Sequence, residues 1–223
     1  MVHDINLIKS VSYFQGLSDE DINSVETLIS RKDYERGDII IYEGDEASAL
    51  YFVVSGAVKI FKTSLEGKEQ ILSIARPGDS FNDVPVFDDG INPASAQAMG
   101  SVILFELGKS EVNALITNHP AIAHNTISVL AEHVRRLVTL VEDLSFRNVL
   151  GRVAKILLEN ANEEAGTRPR LTQQEMAAMA GSAREVVGRS LKSLEEDGLI
   201  KLNRQRITIT DLNALREMVE EPV

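Results

Sequence analysis

Between residues 34 and 106 the chain alternates short β-branched and aromatic runs with turn residues, a punctuation that admits short strands and little else. The runs are Ile39-Ile40-Ile41-Tyr42, Leu50-Tyr51-Phe52-Val53-Val54, Val58-Lys59-Ile60-Phe61, Gln70-Ile71-Leu72-Ser73-Ile74 and Val102-Ile103-Leu104-Phe105. Between them stand Gly37-Asp38, Gly44-Asp45, Gly56, Glu66-Gly67 and Gly78-Asp79, residue types that make turns. Many short strands so spaced predict an antiparallel sandwich or jelly-roll barrel. Ahead of them, Ser18 with Asp21 three positions on, then Ile22, Val25, Leu28 and Ile29, predicts a short capped amphipathic helix over 18–30.

From Lys109 the turn signals cease, apart from Asn118-His119-Pro120, and a long helix is expected from about Ala121. Its apolar residues Ile127, Leu130, Val134, Leu137, Val141 and Leu144 follow a 3-4-3-4-3 spacing. That is an a/d seam, the pattern of a helix that pairs with a second copy of itself. The same stripe can also pack onto the barrel of its own chain, but a helix this long would then leave part of the seam in water. A homodimer is therefore expected.

A third region starts near Ser145 with an apolar helical face of Val149, Val153, Ile156 and Leu157, followed by the polar connection Glu159–Arg170. Thr172 with Glu175 forms a capping-box pattern, so a helix is predicted over Gln173–Ala180 and broken by Gly181. Ser182 with Glu185 repeats the pattern and predicts a second helix to about Glu196, stopped by Asp197-Gly198. Two helices about a glycine turn make a helix-turn-helix. On the second, Val187, Leu191 and Leu194 share one face while Arg184, Glu185, Arg189 and Lys192 share the other. Arginine hydrogen-bonds guanine through two donors and glutamate accepts from cytosine, so the polar face suits a major groove. A solvated face with incidental charges is the alternative, with Glu185 serving only as the cap of Ser182. The strand-like Leu199–Leu202 and Arg206–Ile209 about Asn203-Arg204-Gln205 favour a winged helix-turn-helix whose basic tip reaches phosphate. Overall an α+β chain is expected: a sensor domain over 1–120, a dimerisation helix over 121–145 and a DNA-binding domain over 146–223.

Charge supports that division. The chain of 223 residues has a net charge of −11. Residues 1–145 hold 11 basic and 22 acidic side chains, whereas 146–223 hold 12 of each. Within 181–206 six basic residues stand against four acidic ones, a local excess hidden by the total. The chain has no cysteine, which excludes disulfides, thiolate zinc and cysteine-ligated iron–sulfur clusters. Its four histidines, His3, His119, His124 and His133, show no paired metal-ligand spacing, so no metal site is expected. No apolar run approaches a membrane span and no basic-then-apolar leader is present, so a soluble, cytoplasmic protein is expected.

The stretch Gly181–Ile200, G-S-A-R-E-V-V-G-R-S-L-K-S-L-E-E-D-G-L-I, resembles the DNA-binding signature of the Crp/Fnr family of bacterial transcription regulators. Leu50–Lys62, Gly67–Phe81 with its Arg76-Pro77-Gly78-Asp79, and Leu144–Leu158 resemble further family segments in the family's order, so the likeness covers nearly the whole chain. It implies a cyclic-nucleotide-binding-type barrel, a dimerising helix and a winged helix-turn-helix. It further implies that Arg184, Glu185 and Arg189 read a palindrome with TGTGA-like half-sites. Ser182 and Lys192 lie beside them, Thr172 and Gln173 match a phosphate-contacting position at a helix N-terminus, and Arg204 lies at the wing tip. The likeness also matches the Glu159–Arg170 loop to one that contacts RNA polymerase in family activators, a merely solvated connection being the alternative.

The effector site departs from the family pattern. Members that bind cyclic AMP carry Phe-Gly-Glu and then Arg-Ser/Thr-Ala, with the Glu on the ribose and the Arg on the cyclic phosphate. Here the segments are Phe81-Asn82-Asp83 and Asn92-Pro93-Ala94-Ser95-Ala96, and Leu137 and Val138 replace the polar residues that meet the adenine. Proline offers an anion neither charge nor N–H, so cyclic AMP is not the expected effector. Haem can enter only through His124 or His133 on the long helix, where lone histidines are ordinarily rim residues, and is not expected either. What remains is an unidentified small molecule in a pocket near Phe81, Asn82, Asp83, Val84, Val86, Ala94, Ser95, Leu137 and Val138, or binding of DNA without an effector. The run Asp83–Asp89 is expected to be a solvated turn. A ligand-binding regulatory or interaction module without specific DNA binding is the alternative function, against which the Arg184/Glu185/Arg189 face speaks. Catalysis is not expected, for no G-x-S-x-G or phosphate-binding loop is present.

Overall fold

Gly56, between the third and fourth strands, shows how tightly the punctuation is enforced. It sits at φ +84°, and a Cβ there would strike the carbonyl of Ser101 and the Val102 side chain. Only glycine meets both demands. The computed structural model describes residues 5–161, 171–203 and 206–220. These divide into two units, one of the described residues up to Lys62 with Ser73–Arg136, the other of Thr63–Leu72 with the described residues from Leu137 onward.

In the first unit the chain opens with α1 (Ile5–Ser10), a 3₁₀ turn (Ser12–Phe14) and α2 (Asp19–Leu28), whose N-cap Ser18 accepts from the Asp21 N–H as the sequence predicts. Strands β1 (Ser30–Tyr34), β2 (Ile39–Ile41), β3 (Ala49–Ser55), β4 (Val58–Thr63), β5 (Glu69–Ala75) and β6 (Ser80–Phe81) follow. Then come α3 (Asp83–Asp88), β7 (Ser95–Ala98), β8 (Val102–Gly108), α4 (Lys109–Asn118) and the long α5 (Pro120–Phe146), of which α5 from Leu137 on, like residues 69–72 of β5, belongs to the second unit. The strands form two four-stranded sheets, β1-β8-β3-β6 and β2-β7-β4-β5, antiparallel throughout the first and between β2, β7 and β4 of the second. Ala49, Tyr51, Val53 and Leu104 of one sheet meet Val58, Ala75, Ala96 and Ala98 of the other in a shared core. The opposite face of β3 and β8, with Leu50, Phe52, Phe105 and Leu107, packs on Ile8, Tyr13, Phe14, Ile22, Val25, Val112, Leu115 and Ile122 from the helical segments. Because strand side chains alternate faces, β3 is buried on both sides and reads as a continuous apolar run.

The second unit holds α6 (Val149–Ala161), α7 (Gln173–Ala180), α8 (Arg184–Glu196), the hairpin β9 (Ile200–Asn203) and β10 (Arg206–Ile209), and α9 (Leu212–Glu220). Val153, Ala154, Met176, Ala180, Val187, Leu191, Leu194, Ile200 and Leu215 form its core, all 2 % exposed or less. An α+β chain of sandwich, long helix and helix-turn-helix with wing is thus observed. Two sequence expectations need correction. Asp83–Asp89 is not a solvated turn: Asp83–Asp88 forms α3, with Asp83, Pro85 and Val86 buried. The second helix of the pair is capped by Ala183, not Ser182, and no side chain caps it.

Candidate nucleic-acid interface and sensor site

The turn between α7 and α8 is built from its first residue. The Thr172 hydroxyl accepts from the Glu175 N–H at 3.1 Å, and Glu175 Oε2 accepts from the Thr172 N–H at 2.6 Å, the reciprocal capping box the spacing predicts. Thr172 and Gln173 are both exposed. Gly181 ends α7 at φ +60°, where a Cβ would meet Leu144 Cδ2 at 2.8 Å and Gln70 Oε1 at 3.0 Å. Its carbonyl accepts from Lys68 Nζ at 3.4 Å, and the Met179 carbonyl from Gln70 Nε2 at 3.3 Å. Sequence reasoning missed these two residues at the β4–β5 tip, since nothing in a hairpin's pattern says what it touches.

Along α8, Val187, Leu191 and Leu194 are fully buried, whereas Arg184, Glu185, Arg189 and Lys192 are exposed. At the helical turn of about 100° per residue, those four span an arc of about 140°. The side chains of Arg184, Glu185 and Arg189 make no hydrogen bond or ion pair with another described residue. Glu185 is therefore not the cap of Ser182. Lys192 faces Glu196 at 3.5 Å, an exposed pair of little energetic weight. Gly188 lies within the charged arc, and nothing approaches the position of its missing Cβ within 4 Å. Ser182 is half-buried, with its N–H donating to the Ala177 carbonyl at 3.0 Å. Arg204 at the wing tip, and residues 162–170 of the polar connection, lie outside the described residues.

In the first unit Phe81, Asn82 and Asp83 stand together at the junction of β6 and α3. Phe81 stacks on Tyr51 with ring centroids 5.1 Å apart. Asn82 occupies the left-handed region at φ +69°, and its side chain donates to the Ala49 carbonyl at 3.0 Å. Asparagine thus keeps the backbone conformation that glycine would permit. Asp83 is buried and accepts from Ser80 Oγ at 2.8 Å and from the Tyr13 hydroxyl. Val84 is exposed, so it does not line an interior pocket, while Val86 belongs to the core on the helical side of the sheet. Pro93 is exposed, and its carbonyl accepts from Lys62 Nζ at 3.0 Å, a cation already paired with Glu43 at 2.6 Å. Ala94 is buried, and Ser95 Oγ accepts from the Glu43 N–H. Asn92 is buried, with its amide donating to the Tyr42 carbonyl at 3.1 Å.

His133 stands with Nδ1 3.8 Å from Asp83 Oδ2, facing a carboxylate, and His124 is exposed. Leu137 and Val138 are exposed and belong to the second unit. Among the described residues no group of three or more His, Asp or Glu is placed to hold a metal ion. No helix among them is long and apolar enough to cross a membrane. The contact of Tyr13 with Asp83 was not legible in the sequence, because the two stand 70 positions apart.

Residues 31–119 match the cyclic nucleotide-binding domain family, and residues 151–218 match the Crp-like helix-turn-helix domain family. The chain is 34% identical over 211 residues to the cyclic AMP receptor protein of Thermus thermophilus, covering 95% of this chain and 98% of that one. It is 31% identical over 216 residues to a CRP-like cAMP-activated global transcriptional regulator of Mycobacterium tuberculosis, covering 94% and 96%. Among solved structures, the Thermus thermophilus catabolite activator protein matches at 34% identity and TM-score 0.55, over 93% of this chain and 98% of that one. A Thermus thermophilus transcriptional regulator of the CRP/FNR family matches at 25% identity and TM-score 0.75, over 86% and 100%. With a sandwich of the cyclic-nucleotide-binding kind, a long helix and a Crp-like helix-turn-helix in one chain, this protein belongs to the Crp/Fnr family of DNA-binding transcription regulators and is not an enzyme.

Proposed function

We propose that the protein acts as a homodimer that reads a palindrome with TGTGA-like half-sites, and that cyclic AMP is not its effector. The observation that carries this reading is the face of α8. Arg184, Glu185 and Arg189 are exposed and uncommitted to other described residues, while the residues behind them are fully buried. Side chains held on a rigid helix without internal partners pay little to exchange water for base edges. Arg184 and Arg189 are assigned to guanines and Glu185 to a cytosine. Thr172, Gln173, Ser182, Lys192 and Arg204 are assigned to phosphates and the flanks. A two-fold axis through α5 supplies the second recognition helix, about one turn of DNA away.

Arguing against cyclic AMP, Pro93 carries no charge, the nearby Lys62 is already paired with Glu43, and the Asp83 carboxylate is engaged by two hydroxyl donors. The named relatives above are described as receptors for or activated by cyclic AMP, and the departure proposed here is one of effector within a shared family. The test is fluorescence anisotropy on a TGTGA palindrome and on random duplex, with and without cyclic AMP. The wild type should prefer the palindrome, with no response to the nucleotide. Arg189→Ala should lose roughly 1–3 kcal/mol of discrimination at its base pair, about five- to 150-fold. No preference of the wild type for the palindrome would leave the half-site assignment without support.

A further inference from the structure

Asp83 is 3 % exposed, and a carboxylate buried to that degree requires donors. Three elements supply its neighbours. Ser80 Oγ of β6 donates to Oδ1 at 2.8 Å, the Tyr13 hydroxyl of the 3₁₀ turn donates to the same oxygen, and His133 Nδ1 of α5 stands 3.8 Å from Oδ2. The Tyr13 ring is itself fixed, edge-on to Phe52 with centroids 5.3 Å apart. From α5, Asn125 Nδ2 donates to the carbonyls of Tyr13 at 3.0 Å and Gln15 at 2.9 Å. The turn is thus fastened to the barrel by a ring and a hydroxyl, and to the long helix through its backbone. Burial, and after it the charge of Asp83, holds the phenol protonated far above the ordinary tyrosine range, so its proton is always available to donate.

Position 83 is where the family resemblance places the carboxylate that takes an effector's hydroxyl. We propose that Tyr13 is a tethered stand-in for an effector: its hydroxyl occupies Asp83 from within the chain and holds α3, the barrel and the N-terminal segment in one arrangement. A small molecule that takes Asp83 Oδ1 must carry a hydrogen-bond donor and must displace the Tyr13 hydroxyl from that oxygen. Tyr13 is thereby the positioning residue that decides which ligands the barrel admits, and the N-terminal segment is the part that moves.

Chemical complementation separates this role from ordinary core packing. In full-length Tyr13→Ala, which removes ring and hydroxyl together, phenol should restore most of the lost melting temperature and most of the lost hydrogen-exchange protection of α3. Toluene, of nearly the same shape but without a hydroxyl, should restore little. Equal rescue by the two, or rescue by neither, overturns the proposal. Should Tyr13→Ala fail to fold, Tyr13→Phe decides: exchange in Asp83–Asp88 should rise about five- to 150-fold, the cost of an unmade buried hydrogen bond, with the β9–β10 hairpin unchanged. Unchanged exchange in α3 overturns it. The DNA-binding arm rests on the regulator reading. Tyr13→Phe should weaken binding to the palindrome by about fivefold or more, and undiminished affinity with a loosened α3 would show that Tyr13 does not do an effector's work. If the wild type shows no preference for the palindrome, it is the half-site reading that falls, and Tyr13 is still decided by melting and exchange.

Discussion

A valine would not sit quietly at position 82. The Asn82 backbone lies at φ +69°, a region that asparagine enters with modest strain and a β-branched residue does not. Its amide also closes a 3.0 Å hydrogen bond to the Ala49 carbonyl, tying the start of α3 to β3. Asn82→Gly should therefore be tolerated within about 1 kcal/mol and Asn82→Val should cost about 2–4, from strain and the lost bond together, read as a shift of the urea midpoint. In sequence this asparagine registers only as a departure from glycine, because conformation is not written in residue identity. Asp83 was legible as the residue in the glutamate's place but not as a carboxylate already engaged, since Tyr13 and His133 reach it from far along the chain. Tyr51 offers a second check at this scale. Burial, then the charge of Glu106, pushes its phenol up to about 12 from an ordinary value of 10.0. An acid whose neutral form is favoured by the fold loses its proton first in the unfolded chain. Its contribution to stability is thus intact below pH 10 and lost progressively between 10 and about 12. Alkaline unfolding should begin in that window, and Tyr51→Phe should flatten the decline.

Among the elements, α5 was plain in the sequence because its apolar spacing runs unbroken over nearly three heptads. Its structure leaves Ile127, Val134, Leu137 and Val141 between 47% and 67% exposed. Apolar side chains at that spacing and exposure are what a two-stranded coiled coil covers. Val134→Glu with Val141→Glu should hold the protein at the mass of one chain in sedimentation, where the wild type should sediment at twice that mass. A wild-type protein of single-chain mass at micromolar concentration would remove the dimer from the proposal. The capped pair α7 and α8 was equally legible, its boundaries written in Thr172, Glu175 and Gly181. The misses share a cause. β1, with Ser30-Arg31-Lys32-Asp33, is polar along its length and carries no strand period; it exists because β8 offers it a full antiparallel register. β7 is an alanine-bearing strand with no β-branched residue, held by β2 and β4 on either side. Tertiary pairing, not local preference, makes such strands. α3 was read as solvated from its acidic ends, although its middle, Pro85 and Val86, is buried.

For the molecule as a whole, charge is distributed by function. The chain carries −11 overall, yet the segment from 181 to 206 is locally basic. A polyanion is therefore attracted by one face and repelled by the rest, which holds down binding to random duplex at low salt more than a uniformly basic protein would allow. Two side chains on the same helix should then separate cleanly. Lys192 is exposed on the same side of α8 but eight residues, about 12 Å along the axis, beyond Arg184, where a phosphate contact is expected. Arg189 lies within the arc assigned to base edges. Lys192→Ala should weaken binding about equally across variants of the half-site and reduce the slope of log affinity against log salt by about 1. Arg189→Ala should instead relax preference at one base pair, because the discriminating hydrogen bonds go while the rest of the interface stays in register. Salt titrations of both variants, each on the palindrome and on its single-base changes, distinguish the roles. If Lys192→Ala changes base preference while Arg189→Ala changes only the salt slope, the two residues have been assigned the wrong way round, and it is the C-terminal half of α8, not its first turns, that meets the base edges.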